Sequence, residues 1–416
     1  METSGDLLTH RRGGARPEIL FLTGHLPYPP VSGGRRREFE LITRLAPEFG
    51  LHLFVSSKTF QEDAANASAL RELCASVHVW PAGTGAPTMT GGRSPELVRR
   101  AWSEQMADAV EERLRSEPIS VVHVERFHLM PHVPPSSEVP VVLVEQNIEY
   151  GLWRQRLARA QGRRERRRFF QEYVATLQAE IDAWRRADIC GAVTEEDRAT
   201  MLAALPDLDV RIIPHGVELP AIGSGNGSDP APEVEGSDVV AFVANFAYAP
   251  NADGAVHLCR DVLPRIQAAR PSAKLLLVGN DPPPEVLALR SPDVIVTGRV
   301  PAVEPYLDRA DVVVCPLREG GGIKVKILEA LAREKPVVTT PVGAQGFGPD
   351  AADVMRIAEG PDPFAHAVVE LLADPEERTR LGKAGSRLVA ALPTWDEAAL
   401  RLATCYRDVL APAAGR

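Results

Sequence analysis

The stretch VVVCPLREGGGIKVKILEALAREKPVVTT, residues 312–340, decides the fold. Residues 312–316 are a short continuous apolar run, the pattern of a strand buried on both faces. REGGG follows at 318–322 as a loop, residues 323–331 read as an apolar helix, and 336–340 form the next strand-like run. Strand, helix, strand with continuous apolar strands predicts a parallel sheet covered by helices.

The same alternation extends outward. Residues 18–23, 51–56, 119–124, 139–145 and 189–193 read as strands in the first half, and 239–244, 273–279 and 294–298 in the second. Between the two series lies LPAIGSGNGSDPAPEVEGSD, residues 219–238, rich in Gly, Pro, Ser and Asp, the composition of a flexible connector. Two α/β domains are expected, 18–218 and 239–393, joined by that linker. The polar, Gly- and Arg-rich segment 1–17 reads as disordered. Residues 394–416 carry a terminal helix, with Thr394 as its N-cap.

Composition narrows the function. At 416 residues, 44% hydrophobic and 25% charged, the chain suits a soluble protein with two cores. No apolar run approaches the ~20 residues that span a bilayer and no leader-like h-region follows the start, so the expected location is cytoplasmic. The five cysteines are odd in number and widely spaced, which excludes a disulfide framework and a CxxC metal site. A net charge of −9 argues against nucleic acid. One basic run stands out, RRERRR at 163–168 beside Phe169 and Phe170. It reads as a solvated helix face, with peripheral contact to an anionic membrane surface, or to an acidic acceptor, as the alternative. The bias to Ala, Arg and Pro suggests a GC-rich bacterial genome.

In an open parallel sheet ligands sit beyond the carboxyl ends of the strands, where helix N-termini favour anions. The first strand runs into HLPYPPVSGGRRR, residues 25–37, so Gly33 and Gly34 could bring bare N–H groups to a phosphate or sugar, with Arg35 and Arg37 adding charge. His25 either lines the cleft or stabilises this loop. In REGGG, the three glycines Gly320, Gly321 and Gly322 are hard to explain by packing and suit close backbone approach to a ligand. On the following helix Lys326 and Glu329 are three apart and share a face. That pair is either a nucleotide site, with a cation for a diphosphate and a carboxylate for ribose hydroxyls, or a plain surface ion pair. Asp207 and Asp209 have DxD spacing but sit in a turn before a predicted strand, and His123 and Glu125 lack any partner CxxC; neither reads as a metal site.

From FVANFAYAPNADG (242–254) through DVLP (261–264), LLVG (276–279), VTGRV (296–300), KILEALA (326–332), PVVTT (336–340) and GAQG (343–346), the second half resembles family 4 of the retaining glycosyltransferases, in the Gly-rich-loop subgroup. The first half agrees at 27–37, QNIEY (146–150), VTEED (193–197) and IPHGVE (213–218). The resemblance implies a GT-B architecture, two Rossmann-like domains facing a central cleft. A nucleotide-diphosphate sugar would be held by the second domain and a hydroxyl acceptor by the first, and the last helix would cross back to the first. Carried over by residue, Glu329 matches the second carboxylate of the family's Glu-x7-Glu pattern; the first falls on Gly321, with Glu319 as a substitute. The amides of Gly320, Gly321, Gly322 and Ile323 would hold sugar and diphosphate. Lys326, Arg318 and Arg299 would stabilise the leaving group. The family's histidine before Asn147 is Gln146 here, and both line the acceptor side. Transfer with retention needs neither metal nor cofactor, the nucleotide sugar being a co-substrate, and the products would be a cell-surface glycan, a glycolipid or a secondary metabolite. A sugar-nucleotide 2-epimerase and a non-catalytic partner of the same architecture remain as alternatives. Donor sugar, acceptor and oligomeric state are not legible.

Overall fold

A computed structural model describes residues 16–87, 93–217 and 238–411. The disordered start expected over 1–17 and the connector expected over 219–238 lie almost wholly outside them. The first domain is a seven-stranded sheet of β1 (Glu18–Thr23), β2 (Gly50–Ser57), β3 (Ser76–Pro81), β4 (Val121–Glu125), β5 (Val141–Glu145), β6 (Ile189–Ala192) and β7 (Val210–Ile212), in the order β3-β2-β1-β4-β5-β6-β7. The second has six: β8 (Val239–Val243), β9 (Lys274–Val278), β10 (Val294–Val296), β11 (Val312–Cys315), β12 (Val337–Thr339) and β13 (Arg356–Ile357), ordered β10-β9-β8-β11-β12-β13. All pairings between these strands are parallel.

Period-two alternation explains how one apolar strand serves two layers. On β1, Leu20 and Leu22 enter one core and Ile19 and Phe21 the other, each fully buried. Full burial of such a side chain is worth about 1.5–3 kcal/mol. The expected strands are present, and two were missed. β3 is half-exposed along its length and β13 has two residues, both at sheet edges, where one neighbour suffices and no continuous apolar run is needed.

The last helix, Trp395–Leu410, opens with a capping box in which Thr394 and Glu397 satisfy each other's backbone N–H. Its apolar face returns to the first domain: Ala398, Leu402 and Tyr406 are fully buried in that core, and the Tyr406 hydroxyl lies 2.8 Å from His123 Nδ1. Among the described residues no helix is long and apolar enough to cross a membrane. The carboxyl ends of both sheets face a common cleft.

Candidate active site

The cleft encloses about 720 Å³ between the domains. From the second domain it is lined by Asn245, Asn251, Arg299, Gly320, Gly321, Ile323, Lys326 and Glu329, and from the first by Gly33, Gly34, Arg36, Gln146, Asn147 and His215.

Lys326 and Glu329 sit on the helix Val325–Ala332, which begins two residues later than the sequence implies because Lys324 takes its N-cap position. They are not an ion pair. The Lys326 ammonium donates to Asn251 Oδ1 at 2.6 Å and lies 5.0 Å from the centre of the Phe242 ring. Burial lowers its pKa. Glu329, in the cleft lining, keeps its side chain about a third exposed, 35%, and meets Arg36 Nη1 at 3.8 Å. Burial within the cleft walls raises its pKa, opposed by Arg36. A cation and a carboxylate thus line one cleft without pairing with each other.

The glycine loop has a different reason for its composition than sequence suggests. Gly322 has φ 62°, and a Cβ there would stand 2.5 Å from Asn147 Oδ1 and 2.8 Å from the Gln146 carbonyl oxygen. Gly320 has φ 157°. Its N–H donates to Gln155 Oε1 and its carbonyl accepts from Gln155 Nε2, both at 3.1 Å. The loop is therefore pressed against the first domain, and packing does explain at least Gly322. The Gly320 amide, expected to serve the ligand, is already engaged. The amides of Gly321, Gly322 and Ile323 donate to no described residue. Lys324, buried in this turn, donates to the carbonyls of Gly321 (3.2 Å) and Gly322 (2.6 Å), and burial brings its pKa down to about 8.

Two expected contributors stand elsewhere. Arg318 points out of the cleft lining to Asp253, with Nε to Oδ2 at 2.9 Å. Glu319 meets Arg156 of the helix Glu149–Arg159, Oε1 to Nη2 at 2.9 Å, and it too lies outside the lining. Both charges are engaged in ion pairs, Arg318 away from the space where it was expected to meet a leaving group and Glu319 away from the place of the carboxylate missing at Gly321. Arg37 lines the cleft as expected but is 1% exposed, and it donates to the carbonyls of Pro214 (2.6 Å) and Ile213 (2.9 Å), fastening its helix to the chain beyond β7.

Gly33 and Gly34 are in the first turn of the helix Gly33–Leu45, capped by the Ser32 hydroxyl, not in a free loop. A Cβ on Gly33 would lie 3.1 Å from Val325 Cγ2, and one on Gly34 3.2 Å from Arg126 Nη2, so both permit close approach of neighbours at the cleft. Arg35 is taken by Asp63 at 2.9 Å. His25 lies behind the lining, with Nε2 3.1 Å from the buried Glu38. Gln146 turns its amide inward, donating to Glu38 (3.3 Å) and Glu125 (3.1 Å) and accepting from Arg126 (3.4 Å). That fixes the backbone which presents Asn147.

Sequence reasoning missed Arg36, although its neighbours were noted; it lines the cleft beside Arg37. It also missed Arg126, whose φ of 73° leaves no mark in sequence. Asn251 lay within a quoted block but could be paired with Lys326 only in three dimensions. Asp209 is bound to Arg211 at 2.8 Å, and among the described residues no three His, Cys, Asp or Glu side chains gather as a metal site.

Compared with solved structures, the chain superposes on sucrose-phosphate synthase from Thermosynechococcus elongatus with a TM-score of 0.72 at 18% identity, over 95% of this chain and 100% of that one. HepE of Anabaena, solved in complex with UDP-glucose, matches at 0.65 and 12% identity over 94% and 99%. The fold is GT-B. Residues 237–374, which fall in the second domain, match the family described as Glycosyl transferases group 1. A GDP-mannose-dependent monoacylated alpha-(1-6)-phosphatidylinositol monomannoside mannosyltransferase of Corynebacterium glutamicum is 31% identical over 150 residues, 32% of this chain. That match spans 39% of the relative's length.

Proposed function

We propose that this GT-B chain is a glycosyltransferase of the retaining family 4 type, which moves a sugar from a nucleotide-diphosphate sugar to a hydroxyl acceptor and needs no metal. The observation that carries this is the pair Lys326 and Glu329: three residues apart, yet unpaired with each other and open to one cleft. Glu329 accepts two ribose hydroxyls of the donor. Lys326, with the amides of Gly321, Gly322 and Ile323 and the guanidinium of Arg299, faces the diphosphate. As the glycosidic bond breaks, negative charge grows on the leaving diphosphate, and fixed dipoles and cations in a desolvated cleft stabilise that state more than the ground state. The departing phosphate oxygen takes the acceptor proton, so no protein base is required. The missing carboxylate at Gly321 leaves the sugar to backbone donors.

The solved complex of HepE with UDP-glucose supports a nucleotide-sugar donor, and the mannosyltransferase match supports sugar transfer. Arg163 through Arg168 are all exposed at the start of the helix Arg163–Arg186, and Phe170 beside them is 54% exposed, which supports peripheral contact with an anionic membrane face.

Thermal shift against a panel including UDP-glucose and GDP-mannose tests the donor, because a ligand bound only by the folded state raises apparent stability. Proton NMR of the transferred sugar tests retention, and transfer that persists in EDTA tests metal independence. A product of inverted configuration, or activity lost to EDTA and restored by magnesium or manganese, defeats the corresponding part.

A further inference from the structure

From Glu319 to Gly322 the loop is held by the other domain. Gln155 makes two hydrogen bonds to one peptide residue, Gly320, through both ends of its side-chain amide. Arg156 grips Glu319 with Nε (3.1 Å) and Nη2 (2.9 Å) and stacks its guanidinium 4.9 Å from the Trp153 ring. Asn147, just before the same helix, covers Gly322. That helix is itself fixed at its start, where the Glu180 carboxylate accepts the N–H groups of Glu149 and Tyr150, each at 2.7 Å.

We propose that Gln155 and Arg156 are positioning residues of the donor site: the acceptor-domain helix Glu149–Arg159 sets the conformation of the Gly-rich loop, so the donor site is complete only while the two domains are in contact.

This rests on the glycosyltransferase reading, and the reasoning is geometric. A glycine triplet has no side chains to hold its own shape and carries the largest conformational entropy of any such loop. Something outside must select one arrangement if the amides of Gly321, Gly322 and Ile323 are to be presented together. A carboxamide that bonds both the N–H and the carbonyl of Gly320 fixes the orientation of the two flanking peptide planes, which a single contact would not do. The Arg156 to Glu319 bridge, with the Glu319 side chain 15% exposed, anchors the residue before. The loop glycines therefore serve two demands at once, close approach to Asn147 on one side and donor amides on the other.

The test uses the full chain with Gln155→Leu, Arg156→Glu, and Arg156→Glu combined with Glu319→Arg. Hydrogen exchange of the ligand-free protein reads the clamp without any donor, and calorimetric titration of UDP-glucose and GDP-mannose reads the site. Gln155→Leu is expected to speed exchange in 319–323 and weaken whichever nucleotide sugar the wild type binds by about three- to tenfold, the range for lost neutral hydrogen bonds. Arg156→Glu weakens it more, and the reversed pair recovers part of the loss, which a general folding defect would not do. Unchanged exchange in Gln155→Leu overturns the clamp. Faster exchange with unchanged affinity overturns the positioning role while leaving the glycosyltransferase reading intact. If the wild type binds neither probe nor any other nucleotide sugar, both fall.

Discussion

Gly322 and Asn147 meet across the domain boundary so closely that one added carbon on the glycine would stand 2.5 Å from the asparagine oxygen. This contact, with those of Gln155 and Arg156, ties the Gly-rich loop to the first domain. Around it the cleft divides its work: the first domain fixes the loop, and the second presents Lys326 and Glu329.

Gly322→Ala is expected to be the most damaging glycine change in the loop. It combines a left-handed φ of 62° with the clash at Asn147, and the backbone cost alone is about 1–2 kcal/mol. Gly321→Ala meets Asn147 at an ordinary 3.4 Å and is expected to be tolerated. Donor affinity and melting temperature of the two variants check the order; equal losses would contradict it.

Tyr406→Phe removes the hydroxyl that meets His123 at 2.8 Å in a fully buried site. Leaving the imidazole without that partner costs about 1–3 kcal/mol. Urea unfolding should lose that much stability with donor KM unchanged, since the contact seats the last helix and touches nothing in the cleft. A change in KM with no loss of stability would reverse the assignment.

The Glu145 carboxyl accepts from Trp184 Nε1 (3.1 Å) and the Phe127 N–H (3.1 Å), and burial pushes its pKa from 4.5 up to about 8. The folded protein keeps a proton that the unfolded chain releases. The stability this group contributes is therefore fully present below pH ~4.5 and is lost as pH rises through about 8. Glu145→Gln should flatten the fall in melting temperature between those limits, with part of the slope retained by Glu180, whose pKa burial and Glu145 also raise. Identical profiles would contradict it.

Both sheets were legible because parallel strands buried on two faces leave continuous apolar runs, as at Val312–Cys315. Of the candidate site, the placement of Lys326 and Glu329 on one face of a helix was legible from their spacing, and both line the cleft. It was not legible where a charge finds its partner far along the chain. Arg318 with Asp253, Glu319 with Arg156 and Arg37 with Pro214 are separated by 65, 163 and 177 residues, and no local pattern announces them. The packing demand on Gly322 was not legible for the same reason, since the neighbour that makes it belongs to the other domain.

Steady-state kinetics of sugar transfer by Glu329→Gln and Lys326→Ala test the account most directly. Glu329→Gln should raise donor KM by about 1.5–3 kcal/mol, roughly tenfold to above a hundredfold, with kcat little changed, because the ribose contacts are made equally in ground and transition states. Lys326→Ala should lower kcat, because its charge is needed most as the diphosphate departs. If both variants fold normally and keep wild-type kinetics, the donor does not sit against Lys326 and Glu329, and the proposed site is wrong.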